Sequence, residues 1–230
     1  MAAKKTVEHT GVKSLSFNLP EVKFDTLRVT IVGESPLVMH RFSEKARIQI
    51  EEKQAEKTKA KAKAPRDPQA EYEAAFYLDD DGKPCVPSVC FKNCLVTAAQ
   101  RFYEGVAKTQ LRGMVHIVGE SLRLNYSTVE MNTSTVRIGG MSKTADLRYR
   151  PMFHGWWFEA ALEYDATLIN AKTLLQFIQR AGFTVGLFEW RIDKGGTWGR
   201  FRLGSEADLK RLSAGGKTAT RKTKKKAVRR

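Results

Sequence analysis

The stretch AGFTVGLFEWRIDKGGTWGRF, residues 181–201, combines five glycines with two tryptophans, two arginines and a lysine. Glycine permits positive φ and close approach of a foreign backbone, and successive loop amides can form an anion-binding concavity. Trp190 and Trp198 offer flat faces on which bases can stack. This mixture favours a single-stranded nucleic acid as ligand. The alternative is a tight hairpin, in which the glycines serve only the turn and the tryptophans belong to the core.

The segments around this stretch alternate between strand and helix patterns. Alternating and β-branched residues predict strands, and apolar residues spaced three and four apart predict helices. The predicted strands are 27–33, 113–119, 121–126, 135–140, 156–165 and 183–190 followed by 198–203, and the predicted core helices are 88–103 and 170–182. Reduced to the core elements, the order is strand, helix, strand, strand, helix, strand. This order predicts an α+β, ferredoxin-like βαββαβ fold with a charged helical insertion and a long basic, aromatic loop.

The sequence also predicts how the chain is divided into a domain and flanking segments. We expect a flexible N-terminal arm (1–23), a single nucleic-acid-binding domain (24–212) with a charged helical insertion (43–68), and a disordered basic tail (213–230). The insertion would begin at Ser43 and be ended by two prolines. Minor elements are a short strand (74–78), an Asp-Asp-Asp-Gly turn (79–82), a long polar loop (141–155) and a last helical segment (205–212). The apolar face of the first core helix is expected to comprise Val89, Cys90, Cys94, Leu95, Ala98 and Phe102.

The charge of the chain is strongly positive. Forty Lys and Arg against 25 Asp and Glu give +15, a surplus that indicates a polyanionic partner, nucleic acid before an anionic membrane surface. Eight basic residues and no acid lie in residues 213–230, so the rest of the chain keeps +7. The sequence therefore predicts a basic folded part as well as a basic tail.

Cysteines and targeting signals exclude several classes. Cys85, Cys90 and Cys94 are too few and too clustered for a secreted disulfide framework, and we expect buried, reduced thiols. No cofactor motif or metal site is predicted, because the Asp79–Asp81 run reads as a turn. The first residues lack the apolar run of a signal peptide, and no apolar stretch is long enough to span a membrane, so a cytoplasmic protein is expected.

A second candidate site interleaves basic and aromatic residues between 137 and 156. Guanidinium groups track a phosphate backbone while aromatic rings stack on bases. The candidates are Arg137, Lys143, Arg148, Tyr149, Arg150 and His154. A solvated loop anchored by its aromatics is the alternative.

Two further sets complete the predicted interface. From 181–201 we take Arg191, Lys194, Arg200 and Trp198 as ligand-binding and Trp190 as core, because Trp190 follows an apolar run. Past the first strand, His40, Arg41 and Lys45 form the third set. His40 is also a weak candidate for the general base of ribonucleic acid cleavage, although pairing with phosphate or with Glu44 is equally compatible with it.

The Ser-Pro-Leu turn after the first strand, the βαββαβ order and the glycine-rich VGLFEWRIDKGGTWGRF together resemble the RAMP superfamily. These are ferredoxin-like RNA-binding proteins that form CRISPR effector backbones and process CRISPR repeats. The resemblance spans roughly residues 24–203. It implies a backbone-type binder that polymerises along a strand, and for a repeat nuclease it implies a histidine near the first helix, where His40 is the candidate.

The sequence also resembles small basic phage-encoded proteins through PLVMHRFSEKA, LRYRP and GGTWGRF. That resemblance implies binding of single-stranded DNA in replication or recombination, in the host cytoplasm. The function expected is non-enzymatic, largely sequence-independent and cooperative binding of single-stranded nucleic acid, with DNA favoured. The rivals are a CRISPR-related RNA-binding protein or metal-independent endoribonuclease that uses His40, and a structural or assembly protein whose basic tail packs nucleic acid.

Overall fold

The computed structural model describes residues 21–41, 66–104, 107–138 and 144–215. The predicted insertion helix from Ser43, most of the N-terminal arm and the basic tail beyond residue 215 lie outside these residues. The strands are β1 (Phe24–Gly33), β2 (Leu37–Val38), β3 (Cys85–Pro87), β4 (Val115–Ile117), β5 (Ser121–Arg123), β6 (Thr128–Ile138), β7 (Thr144–His154), β8 (Trp157–Asp165) and β9 (Phe201–Leu203). The helices are α1 (Pro68–Ala74), α2 (Ser88–Phe102), α3 (Lys108–Met114), α4 (Ala171–Thr184) and α5 (Glu206–Gly215), with a 3-10 turn at Ile192–Lys194.

The main sheet confirms the predicted fold. Its strand order is β4-β8-β1-β9, and each neighbouring pair is antiparallel. Taken with α2 between β1 and β4 and α4 between β8 and β9, these strands follow βαββαβ connectivity with the second, third, first and fourth core strands side by side. This is the ferredoxin-like arrangement, in an α+β domain.

The core lies between this sheet and helices α2 and α4. Phe91 of α2 packs edge-on against Phe158 of β8 (5.4 Å between ring centroids) and against Phe201 of β9 (6.0 Å). Cys94 Sγ lies 3.3 Å from the carbonyl oxygen of Gly186. Asn170 begins α4 by accepting a hydrogen bond from the amide of Thr173, a standard N-cap contact.

The buried face of α2 differs in part from the predicted one. Cys94, Leu95 and Ala98 are buried as expected, but Val89 is 61% exposed and Phe102 47%. Further buried positions of the helix are Ser88, Phe91, Val96 and Ala99. Two of the three cysteine thiols, those of Cys85 and Cys94, are buried and free, and Cys90 is half-buried and free. Burial raises the pKa of Cys85 to about 11, so its thiol is protonated at neutral pH.

A three-stranded sheet of order β2-β7-β6 stands beside the main sheet. Strands β6 and β7 form a long antiparallel ribbon, in register from Thr128 opposite His154 to Ile138 opposite Thr144. The prediction of a polar loop at 141–155 is therefore wrong, since residues 144–154 are strand. The short strand predicted at 135–140 is the end of an eleven-residue one.

Other local predictions are also corrected. Pro68 begins α1 with Asp67 as its N-cap, rather than ending a helix. The strand expected at 74–78 is reduced to an isolated bridge between Leu78 and Pro84. Helix α3 was not predicted, and β5 pairs with β3 outside the main sheet. Residues 183–190 are not a strand, because α4 continues to Thr184 and turns follow.

The sequence predicts no membrane-spanning segment. Within the described ranges, no helix is both long and apolar enough to cross a bilayer.

We predict that Gly182→Ala destabilises the protein by about 1–3 kcal/mol, a typical range for overpacking a close contact. A Cβ at Gly182 would lie 1.9 Å from the carbonyl oxygen of Phe201, so α4 and β9 would have to separate. Gly113→Ala in α3 is the matched control, because its Cβ would meet nothing within 4 Å. It should leave stability unchanged or raise it by up to about 1 kcal/mol. Urea unfolding measures both, and equal effects would contradict the packing explanation.

Candidate nucleic-acid interface

The positive charge of the chain lies almost entirely outside the described residues. The segment 213–230 carries eight basic residues and no acid, 42–65 carries seven against four acids, 1–20 carries three against one, and 139–143 adds one. The described residues are left with a net charge of +1. The expected basic folded part is thus nearly neutral in its structured elements, and the surplus belongs to the arm, the insertion, the ribbon tip and the tail.

The glycine-rich segment is a compact loop that satisfies most of its own amides. The N–H groups of Lys194 and Gly196 donate to the carbonyl of Arg191, and that of Gly195 donates to Ile192. The amide of Trp198 donates to the carbonyl of Trp190. These amides are engaged within the protein, so the anion-binding concavity expected from the sequence does not form from them.

Two glycines of the loop are explained by close packing within it. A Cβ at Gly196 would lie 1.8 Å from the carbonyl oxygen of Trp190, and one at Gly199 would lie 2.0 Å from that of Leu187. Gly199 also has φ +68°, a conformation that suits glycine. For these two positions the tight-turn alternative is the observed one.

The backbone of the loop is strained next to its aromatic residues. Phe188 has φ +59° and Trp190 has φ +53°, a region that bulky L-residues rarely adopt. Such conformations cost on the order of 1–3 kcal/mol each and tend to cluster at functional sites. Phe188 stacks on Tyr77 at 5.5 Å, while Glu189 between the two strained residues donates its amide to the carbonyl of Val38.

Trp190 is more exposed than Trp198, the reverse of the expected order. Trp190, predicted to be core, is 42% exposed, whereas Trp198 is half-buried. Their ring centroids lie 6.0 Å apart at an interplanar angle of 62°. The expectation for Trp190 is wrong because it rested on the apolar run before it, which the left-handed turn at Phe188 interrupts.

Three segments distant in sequence meet at Glu189. Its Oε1 lies 3.8 Å from Nδ1 of His40, which follows β2. Its Oε2 lies 3.7 Å from Nη1 of Arg150, in β7. The structure thus brings together two predicted site residues, His40 and Arg150, and a residue of the glycine-rich segment, Glu189. We call these three residues the Glu189 cluster.

Arg150 is the buried member of this cluster. It is 4% exposed, and its Nε and Nη1 atoms find no hydrogen-bond partner among the described residues. Across the ribbon it lies opposite Asn132, and Arg148 lies opposite Ser134. Asn132 Oδ1 and Ser134 Oγ are likewise buried without a described partner. Burial lowers the pKa of Arg150.

His40 is held neutral by its surroundings. Burial is the largest cause of its lowered pKa, and the charge of Arg150 lowers it further, while Glu189 opposes the shift and Arg148 adds to it. A neutral imidazole can accept a proton. His154, the possible second histidine, instead lies 3.1 Å from Glu130 on the ribbon, four residues from Arg150 along an extended strand.

The remaining predicted residues are dispersed or paired. Arg41 is exposed next to His40, and Arg148 pairs with Asp146 at 3.0 Å. Tyr149 packs against the core rather than standing free for stacking. Arg137 lies in β6, and Lys45 and Lys143 fall outside the described residues.

The cations of the glycine-rich loop do not join the Glu189 cluster directly. Arg191 donates to the carbonyl of Phe188 at 3.1 Å, and Lys194 is exposed. Arg200 pairs with Glu34 at 3.2 Å and lies over the ring of Phe183 at 5.2 Å. These arginines therefore have internal partners.

Sequence reasoning missed the residues that assemble the site. The sequence did not predict a role for four of these residues, since each is an ordinary polar or aromatic residue in its local sequence: Tyr77, Asn132, Ser134 and Glu189. The signal that could have found Asn132 and Ser134 is the alternation of MNTSTV, which predicts a strand with a polar face. Nothing local marks Glu189 as the partner of a distant arginine.

No family model and no curated protein matches the sequence. Among solved structures, Cmr6 from Pyrococcus furiosus is similar at a TM-score of 0.44 and 9% identity, over 80% of this chain and 100% of that one. At that similarity, only the residues described above bear on what this chain binds.

We predict that acid destabilises the fold through His40. Because its folded-state pKa lies below its ordinary value of 6.5, the unfolded chain takes up the proton first, and the free energy of unfolding falls as pH drops below about 6.5. His40→Gln should reduce this fall between pH 7.5 and 5. Urea unfolding at both pH values decides, and identical pH profiles for His40→Gln and the wild type would contradict the assignment.

Proposed function

We propose that this protein binds single-stranded nucleic acid without cleaving it and largely without sequence preference. The observation that carries the proposal is the adjacency of an exposed, strained Trp190 to Glu189, whose carboxylate contacts His40 and Arg150 from two other segments. An exposed aromatic ring suits an unstacked base, and a guanidinium contacted by the neighbouring residue suits a phosphate. A duplex hides its base faces, so single strands are the better ligand.

The basic segments supply the long-range attraction. The insertion leaves the described chain after Arg41, beside the Glu189 cluster, and returns at Arg66. Arg66 pairs with Asp146 and donates to the carbonyl of Leu147 at 2.7 Å, near the tip of the ribbon. Residues 42–65 and 139–143 together carry four of the surplus charges, and such charges attract a polyanion over a distance.

The finer proposal is single-stranded DNA, bound cooperatively along the strand in phage replication or recombination. It is supported by the sequence resemblance to basic phage-encoded proteins. RNA is the competing ligand, because the resemblance to RAMP proteins implies RNA binding. Titration of single- and double-stranded DNA and RNA separates these ligands. Gels of the same mixtures test for cleavage, the rival function. If His40 is the general base, His40→Ala would abolish cleavage and spare binding.

We predict a steep, linear fall of log affinity with log salt, with a slope of about 0.7 per neutralised phosphate for a single strand. Truncation after Ser213 removes eight basic residues and should weaken binding and lower the slope by at most roughly 5.6. The truncated protein should still prefer single strands over duplex, because Trp190 and the Glu189 cluster are retained. A flat salt dependence would contradict the electrostatic contribution. Loss of all binding on truncation would favour the packing role of the tail.

We predict that Trp190→Ala lowers affinity for a poly-dT strand by about 1–3 kcal/mol and lowers stability only modestly, because its ring is 42% exposed and packs edge-on against Trp198. Trp198→Ala, at the half-buried partner ring, should lower the melting temperature more and affinity less. Intrinsic fluorescence checks the assignment, since a stacked indole is quenched on titration. Quenching that persists in Trp190→Ala would return the stacking role to Trp198.

A further inference from the structure

Arg150 is an unusual residue to bury. Its guanidinium carries a positive charge, its side chain is 5% exposed, and among the described residues the Glu189 carboxylate lies 3.7 Å from its Nη1, beyond a good hydrogen bond. The Nε and Nη1 donors are unmet by any described residue. An incompletely paired buried charge is costly, and a group of this kind calls for an explanation.

The ribbon adds further unmet polar atoms on the same face as Arg150. Asn132 is its direct cross-strand neighbour, and Ser134 is two residues further along, so all three side chains point to one side of the ribbon. The Ser134 hydroxyl can donate, and the Asn132 amide can present its NH2 group by rotation about its last bond. Its present Nδ2 contact, 3.9 Å to Met152 Sδ, is weak.

We propose that this group is a binding site for one backbone phosphate of the single strand, and that the Glu189 carboxylate occupies it when no strand is bound. Arg150 would supply Nε and Nη1 to the phosphate oxygens, a pairing that a planar guanidinium makes well. Ser134 and Asn132 would donate to the remaining oxygens, and His40 would line the entrance. This proposal rests on the proposed function and specifies how the strand is held.

Glu189 has the properties of a displaceable occupant. Its side chain is 42% exposed while that of Arg150 is 5% exposed, so the carboxylate connects the buried guanidinium to the surface. Its contacts with His40 and Arg150, at 3.8 and 3.7 Å, are both too long for strong hydrogen bonds. The backbone of Glu189 is fixed by its amide bond to Val38 O at 3.1 Å, so only the side chain has to rotate.

The competing explanation is purely structural. In that case Glu189 and Arg150 tie the glycine-rich loop to the ribbon, and a nucleic acid never reaches the guanidinium. The two explanations differ in sign, because a structural tie predicts that removing the Glu189 charge weakens binding or leaves it unchanged, whereas an occupied phosphate site predicts tighter binding.

The test compares Glu189→Gln with wild type and with Asp81→Asn. Asp81 also pairs with an arginine, Arg123, on a turn outside the proposed surface, so both variants remove one negative charge from an ion pair. The probe is an abasic phosphodeoxyribose ten-mer, which offers phosphates without bases, and an uncharged methylphosphonate oligomer serves as its counterpart. We expect Glu189→Gln to bind the abasic oligomer about tenfold tighter, equivalent to one hydrogen bond to a charged group, and Asp81→Asn to change affinity less than about twofold.

Stability gives a second readout. Without oligomer, Glu189→Gln should melt below wild type, because Arg150 loses its carboxylate, and the abasic oligomer should raise its melting temperature more than that of wild type. Arg150→Lys combined with Glu189→Gln should lose the gain in affinity, since an ammonium group lacks the two-pronged donor geometry. The methylphosphonate oligomer should show no difference between variants.

Three results would overturn the proposal. Equal gains in Glu189→Gln and Asp81→Asn would reduce the effect to net charge. Unchanged or weaker binding by Glu189→Gln would leave Arg150 a structural residue, while binding by the wild type would leave the proposed function intact. A wild-type protein that binds neither the abasic oligomer nor poly-dT would fail the proposed function itself.

Discussion

The antiparallel pairing of β1 with β8 is the contact on which the rest of this structure depends. Nine residue pairs join the two strands, from Phe24 opposite Asp165 to Val32 opposite Trp157. At the end of this ladder the Gly33 amide donates to the carbonyl of Trp156 at 2.9 Å, and the Trp156 indole donates to the carbonyl of Ser35 at 2.7 Å. A side chain at Gly33 would collide with that ring, so the close approach requires glycine.

This junction also places the candidate site. The turn into β2 leaves from the end of β1, and the ribbon ends at His154, just before β8 begins. The turn into β2 and the end of β7 therefore lie at the same corner of the main sheet, and β2 pairs with β7 there. His40 and Arg150 meet because their parent strands are held at that corner, far from each other in sequence but anchored by the same ladder.

The sequence predicted the elements that have one clear apolar face. Strand β8 alternates buried and accessible residues along its length, and α4 has regularly spaced buried residues and an Asn170 cap, so local patterning was sufficient for both. The ribbon was missed because β7 contains Pro151 and three arginine or histidine side chains, which locally resemble a loop. Its strand pairing depends on β6 and β2, which are non-local partners. The Glu189 cluster was out of reach for the same reason, since its members share no local pattern, and Trp190 was misjudged because a left-handed backbone is not visible in composition.

The distribution of charge separates two kinds of electrostatic interaction. The structured elements are nearly neutral because many of their arginines have acidic partners, such as Arg202 with Asp208 and Arg123 with Asp79. The surplus lies in residues 1–20, 42–65, 139–143 and 216–230, outside the described part of the chain. Attraction by those segments acts over the Debye length of about 8–10 Å and weakens with salt, whereas contacts at the nearly neutral surface act at short range and are screened less. Long-range and short-range electrostatic interactions therefore have separate physical origins in this chain.

At Trp190, the left-handed backbone makes the best residue for stability different from the residue that supplies an exposed ring. Glycine would relieve the torsional cost there, and asparagine would reduce it, so a search for thermostable variants would favour either one. Both would erase the exposed indole. Selection for resistance to heat alone would thus favour loss of tryptophan at this site, and a stabilised version intended to keep the proposed stacking ring should be engineered elsewhere in the fold.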